Sequence, residues 1–239
     1  MVETRESRVE SARSCRQKFH ADGFAFVRAL LSVSDVDHLR KALTPLLKTG
    51  RAGVRNLLRE SSAVAELSLS EGVLSIVGEL AGTTPFPVRG LLFDKTPRVN
   101  WRVAWHQDLT VAVNMRAEVA GFGPWSIKKG VVHAQAPVSV LERMLTVRIH
   151  LDDADETNGA LQVIPGSHRF GKLDDAAIDR ATVAGSTTIC AVRAGDVLIM
   201  RPLLLHASSP APVPNHRRVI DIEYATELLP APLEWFKWA

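Results

Sequence analysis

Two hydrophobic rhythms divide the chain. Up to about residue 82, apolar side chains return every three or four positions, the period of a helix with one buried stripe; beyond it they come in short alternating or continuous runs broken by Gly, Pro, Asn and Asp, as in antiparallel strands and turns. The opening stretch to about Gln17 is polar and reads as a helix or a frayed tail. Asp22-Gly23 marks a turn into a short strand over 24–27. Ser34 is placed as the N-cap of a helix over 36–47 with Leu39, Leu43, Leu46 and Leu47 as its stripe. A second helix is predicted from Ser62 to about Leu80, on Val64, Leu67, Val73, Leu74, Ile76, Val77 and Leu80, with Gly82 ending it. The strand-like runs are 88–93, 103–106, 144–151, 160–164, 186–192, 196–200 and 218–224. Between them, 109–138 shows little regular pattern, carries Gly121-Phe122-Gly123-Pro124-Trp125, and is expected to be a long lid loop. Helices followed by strands predict a mainly β protein, an antiparallel architecture flanked by N-terminal α-helices.

Composition adds limits to this picture. At 239 residues the chain suits one large domain over 1–239, with a mainly helical flank over 1–82 and a β core over 86–226. Hydrophobic residues are 46% and charged residues 23%, as in an ordinary globular protein, and no apolar run approaches the ~18 residues of a membrane span. The charged N-terminus does not read as a secretory signal, and Cys15 and Cys190, far apart, form neither a disulfide framework nor a thiolate zinc site. A cytoplasmic protein with no membrane and no nucleic-acid partner is expected, since the net charge of +3 is small and its basic residues are scattered. The oligomeric state stays open.

The chemistry concentrates in Trp105-His106-Gln107-Asp108-Leu109. A strand places i and i+2 on one face, so His106 and Asp108 can grip one metal ion, and His206 would complete a two-histidine, one-carboxylate triad if the fold joins the two strands. Three ligands on one octahedral face leave three positions open, the arrangement Fe(II) needs for a chelating co-substrate and then O2. Either this pairing is such a site, or it is a surface strand with two solvated polar groups. Downstream, Asn158-Gly159 and Pro165-Gly166 are turn signals, His168 reads as structural, and Ala194-Gly195-Asp196 leads a buried strand toward His206. Arg217 offers a planar guanidinium suited to a carboxylate, here the distal carboxylate of 2-oxoglutarate, unless it is a surface cation beside Arg218.

Together, His106-Gln107-Asp108, Asn158-Gly159-Ala160-Leu161 with Pro165-Gly166-Ser167-His168, Gly195-Asp196, and His206 followed by Arg217 resemble the signature of the phytanoyl-CoA dioxygenase family of Fe(II)/2-oxoglutarate oxygenases, over roughly residues 20 to 226. The resemblance implies a double-stranded β-helix, a cupin-like jelly roll, behind the N-terminal helices. It implies His106, Asp108 and His206 as iron ligands and Arg217 as the clamp for 2-oxoglutarate. Ser208 falls where the family often supplies a hydroxyl to the same carboxylate, and Lys95 matches a lysine common near the co-substrate, although a solvated loop lysine fits the sequence nearly as well. In the strand before Asn158, Thr146, Arg148 and His150 alternate with Leu145, Val147, Ile149 and Leu151. If the apolar set packs on the helices, Arg148 points into the barrel toward an anionic group; in the opposite orientation it lies in solvent. Gln107 and Trp125 are expected on the substrate side, where Trp101, Trp105, Phe122 and Trp125 suggest a partly apolar pocket, although tryptophans at such positions are as often barrel core.

The activity so implied couples oxidative decarboxylation of 2-oxoglutarate, giving succinate and CO2, to oxidation of an unactivated C–H bond of a small-molecule substrate, with hydroxylation the usual outcome. Asp108 argues against halogenation, because halogenases of this kind have a small residue there. Desaturation, ring formation and epimerisation use the same triad. Two rivals stand beside this reading: a cupin-like metal-dependent isomerase or hydrolase, which has no need for Arg217, and a catalytically silent metal- or 2-oxoglutarate-binding protein.

Overall fold

The structure, a computed structural model, describes residues 16–47 and 53–238. The polar opening stretch, with Cys15, lies outside them except for its end, where residues 16–22 are helical. The helical flank comprises α1 (Val33–Leu47), α2 (Leu57–Glu60), α3 (Ser62–Ser68) and α4 (Glu71–Ala81), with β1 (Phe24–Val27) and β2 (Gly53–Arg55) interleaved. Beyond it run β3 (Phe86–Lys95), β4 (Val103–His106), β5 (Thr110–Val113), β6 (Trp125–Lys128), β7 (Val131–Gln135), α5 (Val138–Leu141), β8 (Met144–His150), β9 (Leu161–Val163), α6 (Asp175–Ala184), β10 (Thr188–Ile189), β11 (Val197–Met200), β12 (His206–Ser208) and β13 (Arg217–Ala225).

The strands form a six-stranded sheet, β1-β11-β8-β13-β3-β2, a four-stranded sheet, β10-β9-β12-β4, and a three-stranded meander, β5-β7-β6; every pairing is antiparallel. This is the double-stranded β-helix expected, with the larger sheet dressed by the helices. Period-two alternation decides which way each strand faces. Leu145, Val147 and Ile149 of β8 and Ile220, Ile222 and Tyr224 of β13 pack against Leu39 and Leu43 of α1, Val64 of α3 and Val77 of α4. Each such side chain contributes on the order of 1.5–3 kcal/mol when fully buried. Tyr224 also donates its hydroxyl to the carbonyl of Ser68 at 2.8 Å, tying the sheet to the end of α3. The residues between them, Thr146, Arg148 and His150 on β8 and Arg217, Asp221 and Glu223 on β13, are left for the interior. Toward one end, Phe24, Leu198 and Met200 meet Leu161, Val163 and Leu204 and close the space between the sheets.

Three expectations need correction. The first helix begins at Val33, and its cap is Ser32, not Ser34: Asp35 N donates to Ser32 Oγ at 3.2 Å while Ser32 N donates to the Asp35 carboxylate at 2.9 Å, a reciprocal capping box. The helix expected over 62–80 is two, because the chain turns at Leu69 and restarts with Ser70 in extended conformation at the head of α4; Gly82 does end it, at φ 75°. The stretch 109–138 is not an irregular loop. It folds into β5, β7 and β6, with Val111, Val113 and Ala136 in a common cluster with Leu141, Leu229, Leu233 and Trp235. The segment after β13 fastens it, through Asn114 N to Glu234 O at 3.1 Å and Phe236 N to Ala112 O at 3.1 Å.

Candidate metal and co-substrate site

The triad is assembled by one cross-strand pair. His206, on β12, is the antiparallel partner of His106, on β4, and Asp108 follows two residues on, its backbone N–H donating to Pro202 O at 2.8 Å. The two imidazole centroids lie 4.1 Å apart, and Asp108 carboxylate oxygens sit 3.9 Å from His106 Nε2 and 3.7 Å from His206 Nε2. One ligand atom from each residue falls within 4.8 Å of the others. Both rings are oriented alike from behind: Nδ1 of His106 lies 2.8 Å from Ala104 O and Nδ1 of His206 lies 2.9 Å from Leu204 O, so with Nδ1–H donating to these carbonyls each Nε2 keeps a lone pair for a metal. Burial pushes the His206 imidazolium down to about 4 against the opposing pull of Asp108, which leaves the ring neutral at physiological pH. Burial works to raise the Asp108 carboxyl, but the attraction of His206 and His106 when these are protonated, with that of Arg89 and Arg148, outweighs it, and the group lies below the usual carboxylate range. Two imidazole nitrogens and a carboxylate oxygen are the donor set that a divalent first-row metal takes with positions left open.

A cavity of about 160 Å³ opens on the triad and on the interior face of the large sheet. At its far side Lys95 of β3 and Arg217 of β13 are direct cross-strand partners, 1% and 2% exposed. Two like charges opposed on a buried face destabilise a sheet unless an anion joins them. Lys95 Nζ donates to Ser208 Oγ at 2.7 Å and to Ser209 O at 2.6 Å; Ser208 Oγ also accepts from Arg217 at 3.3 Å and donates to Gly159 O at 2.8 Å. Arg217 Nε and one terminal nitrogen have no protein partner. Burial, then Arg217 and Arg148, push the Lys95 ammonium down to about 7, and burial with Arg148 pushes Arg217 down to about 9. This corner therefore presents two buried cationic side chains, one with unpartnered N–H groups, to the cavity. The lysine is thus no solvated loop cation, and Arg217 is no surface partner of Arg218, which is engaged with Asp152 instead.

The remaining expected residues divide. Arg148 does point inward and lines the cavity, but it is held by Asp221 at 2.6 Å, so its charge is already matched. Trp101 lines the cavity with Lys95 5.5 Å from its ring. Gln107 and Trp125 do not line it. Gln107 Nε2 donates to Gly171 O and Leu203 O, both at 2.8 Å, and its Oε1 accepts from Leu173 N at 2.9 Å, so the whole amide is used in bracing backbone. Trp125, on β6, packs with the cluster between the meander and the C-terminal segment. Asp221 and Glu223, missed by the sequence reading, line the cavity on the wall of β13. Their signal was available: they alternate with Ile220, Ile222 and Tyr224.

Three inward donors on a jelly roll, with paired cations behind them, define a non-haem metal centre of the 2-oxoglutarate oxygenase kind. The phytanoyl-CoA dioxygenase (PhyH) profile matches residues 19–219, and the chain belongs to that family. No curated protein sequence matches it significantly. Among solved structures it is similar to the α-ketoglutarate-dependent carbocyclase SnoK from nogalamycin biosynthesis, with a TM-score of 0.70 and 17% identity over 89% of this chain and 83% of that one. It is also similar to the epimerase SnoN in complex with Fe3+, α-ketoglutarate and nogalamycin RO (TM-score 0.73, 15% identity, 97% and 88% covered). HygX from Streptomyces hygroscopicus, with nickel and 2-oxoglutarate bound, gives a TM-score of 0.67 at 17% identity, covering 94% of this chain and 89% of that one. Among the described residues no helix is long and apolar enough to cross a membrane.

Proposed function

We propose that this chain is an Fe(II)- and 2-oxoglutarate-dependent dioxygenase that hydroxylates an unactivated C–H bond of a small-molecule metabolite, releasing succinate and CO2. The observation that carries this is the pairing of the His106, Asp108 and His206 cluster with a buried, unsatisfied Arg217 and its partners Lys95 and Ser208. When bound, iron with 2-oxoglutarate supplies the power to activate O2 for attack on a C–H bond; the rest is done by the protein. His106, Asp108 and His206 hold the metal from one side. Lys95, Arg217 and Ser208 would hold the distal carboxylate of the co-substrate and so orient it in the cavity. Leu91, Phe93 and Val103 keep the cavity partly apolar, which limits water beside the reacting groups. A cupin-like isomerase using the same three ligands has no use for a paired lysine and arginine buried behind them. A cytoplasmic location is part of the same reading.

Adding 2-oxoglutarate to the anaerobic Fe(II) protein is expected to produce a metal-to-ligand charge-transfer band, and His106→Ala, Asp108→Ala and His206→Ala are each expected to abolish it with the fold retained. A band of undiminished intensity in any of the three removes that residue from the ligand set. Product analysis under 18O2 separates hydroxylation, which inserts labelled oxygen, from cyclisation or epimerisation, which the carbocyclase and epimerase of the same fold perform.

A further inference from the structure

In the cavity that holds the triad, β8 and β13 present three buried oxygen atoms to which the fold gives no partner: Thr146 Oγ1, Asp221 Oδ1 and Glu223 Oε2. All three residues line the cavity and are at least nine-tenths buried, at 2%, 7% and 7% exposure. They form one patch, because Thr146 and Glu223 are cross-strand partners and Asp221 stands two residues from Glu223 on the same face. Their other valences do not reach across the gap. Asp221 Oδ2 is taken by Arg148 at 2.6 Å, and Glu223 Oε1 lies 3.4 Å from Arg89. Each polar atom buried without a partner costs about 1–3 kcal/mol. Elsewhere on the interior of the same sheet the chain uses Leu198 and Met200, so a stable barrel does not demand polar groups here.

Burial raises the Asp221 carboxyl to about 6 and the Glu223 carboxyl to about 7; above that range both are ionised and can only accept hydrogen bonds, and a hydroxyl can accept as well as donate, so the missing group is then a donor. The geometry points to Thr146, Asp221 and Glu223 as a specificity-determining wall that receives hydroxyl or ammonium groups of the substrate, which is therefore a polyhydroxylated or amino-substituted small molecule and not a plain hydrocarbon or acyl chain. This rests on the oxygenase reading above. The cavity then has two chemically distinct sets of side chains: cations at Lys95 and Arg217 for the co-substrate and acceptors at Thr146, Asp221 and Glu223 for the substrate.

The test uses three six-membered rings differing only in donors: trans-2-aminocyclohexanol, trans-cyclohexane-1,2-diol and trans-1,2-dimethoxycyclohexane, titrated by calorimetry into the anaerobic Fe(II)–2-oxoglutarate protein. The amine, the diol or both are expected to bind at least about tenfold more tightly than the donor-free ether, one well-made buried hydrogen bond being worth about that much. Compared with the parent above about pH 8, where Glu223 is ionised, Glu223→Gln keeps the shape and loses the charge. A loss of about tenfold for the amine with little change for the diol identifies an ammonium, whereas equal losses identify a hydroxyl. Thr146→Val, nearly isosteric, is expected to narrow the same preference, and a wall with a purely structural role would lower stability while leaving the order of the three probes untouched. Binding of the ether as tight as the others, or no binding of any probe, overturns the wall. Absence of the charge-transfer band before any probe is added overturns the oxygenase reading instead, so the two failures are told apart.

Discussion

Arg217 and Lys95 are the residues at which the site can be broken most selectively. Arg217→Ala leaves the carboxylate of the co-substrate facing a desolvated lysine alone, at a cost of about 2–5 kcal/mol for an unpaired buried charge. The expected outcome is loss of 2-oxoglutarate affinity by at least about thirtyfold with iron still bound, read from titration of the charge-transfer band. Lys95 adds a pH dependence whose sign can be worked out. Its folded value, about 7 without a ligand, lies below the ordinary 10.5, so between those limits the unfolded chain holds the extra proton, and this group favours folding of the ligand-free protein increasingly as pH rises through that window. Binding an anion reverses the shift and takes up a proton. The affinity for 2-oxoglutarate should therefore weaken as pH rises from about 7 to about 9, and Lys95→Met should bind weakly with that slope removed. A wild-type affinity that stays flat over this range would show that Lys95 keeps its charge in the ligand-free site.

At the scale of elements, the turn that precedes β9 shows how closely strand geometry and chemistry are linked. Asn158-Gly159 was legible as a tight turn, and Gly159 sits at φ 75°, where a Cβ would lie 2.5 Å from Ser209 O and 3.4 Å from Lys95 Nζ. Gly159→Ala is expected to destabilise the protein by about 1–3 kcal/mol in urea unfolding and to weaken 2-oxoglutarate binding as well, because the atoms it displaces are those that position Lys95. Stability lost with co-substrate affinity unchanged would separate the turn from the site. Where the sequence was readable, one rule carried it: alternation on β8 separated Thr146, Arg148 and His150 from the apolar set, and the packing of that apolar set on the helices decides that the polar face is inside. What escaped had a physical cause. The β6–β7 hairpin turns on Lys129 and Gly130, both at positive φ, where Asn-Gly would have announced it and Lys-Gly does not. Helix α6 buries none of its residues, so it has no apolar stripe to detect, although Asp174 caps it through Ala177 N at 2.8 Å. The triad was visible because His106 and Asp108 form a compact His-x-Asp motif, although β4 ends at His106 and Asp108 lies just beyond it, so the shared strand face expected of the pair is not what holds them together; the partnership of His106 with His206 is a tertiary fact that no local pattern contains.

On the scale of the whole molecule, the stretch expected to be a lid is instead braced on both sides. β5 continues from Asp108, β7 pairs with it, and Trp235 from the C-terminal segment bridges to Val113 while donating its indole N–H to Glu227 O at 2.9 Å. The metal ligand Asp108 is therefore two residues from a strand whose position depends on residues more than a hundred positions away. An unstable lid would exchange its amides far faster than the barrel; a packed meander should not. Hydrogen exchange of the ligand-free protein is expected to find β5 and β7 protected to nearly the degree of β8 and β13, and unfolding should follow a single transition if the meander and barrel form one cooperative unit. Trp235→Ala removes a large buried ring from the cluster with Val111, Val113 and Leu233, at a cost of about 3–5 kcal/mol. That substitution should speed exchange in β5 and β7 first and loosen Asp108 with them, lowering iron affinity from a site outside the metal's reach. If it left β5 protected and iron affinity intact, the C-terminal segment would be a passive cover, and the placement of Asp108 would have to come from β4 and the backbone bond to Pro202 alone.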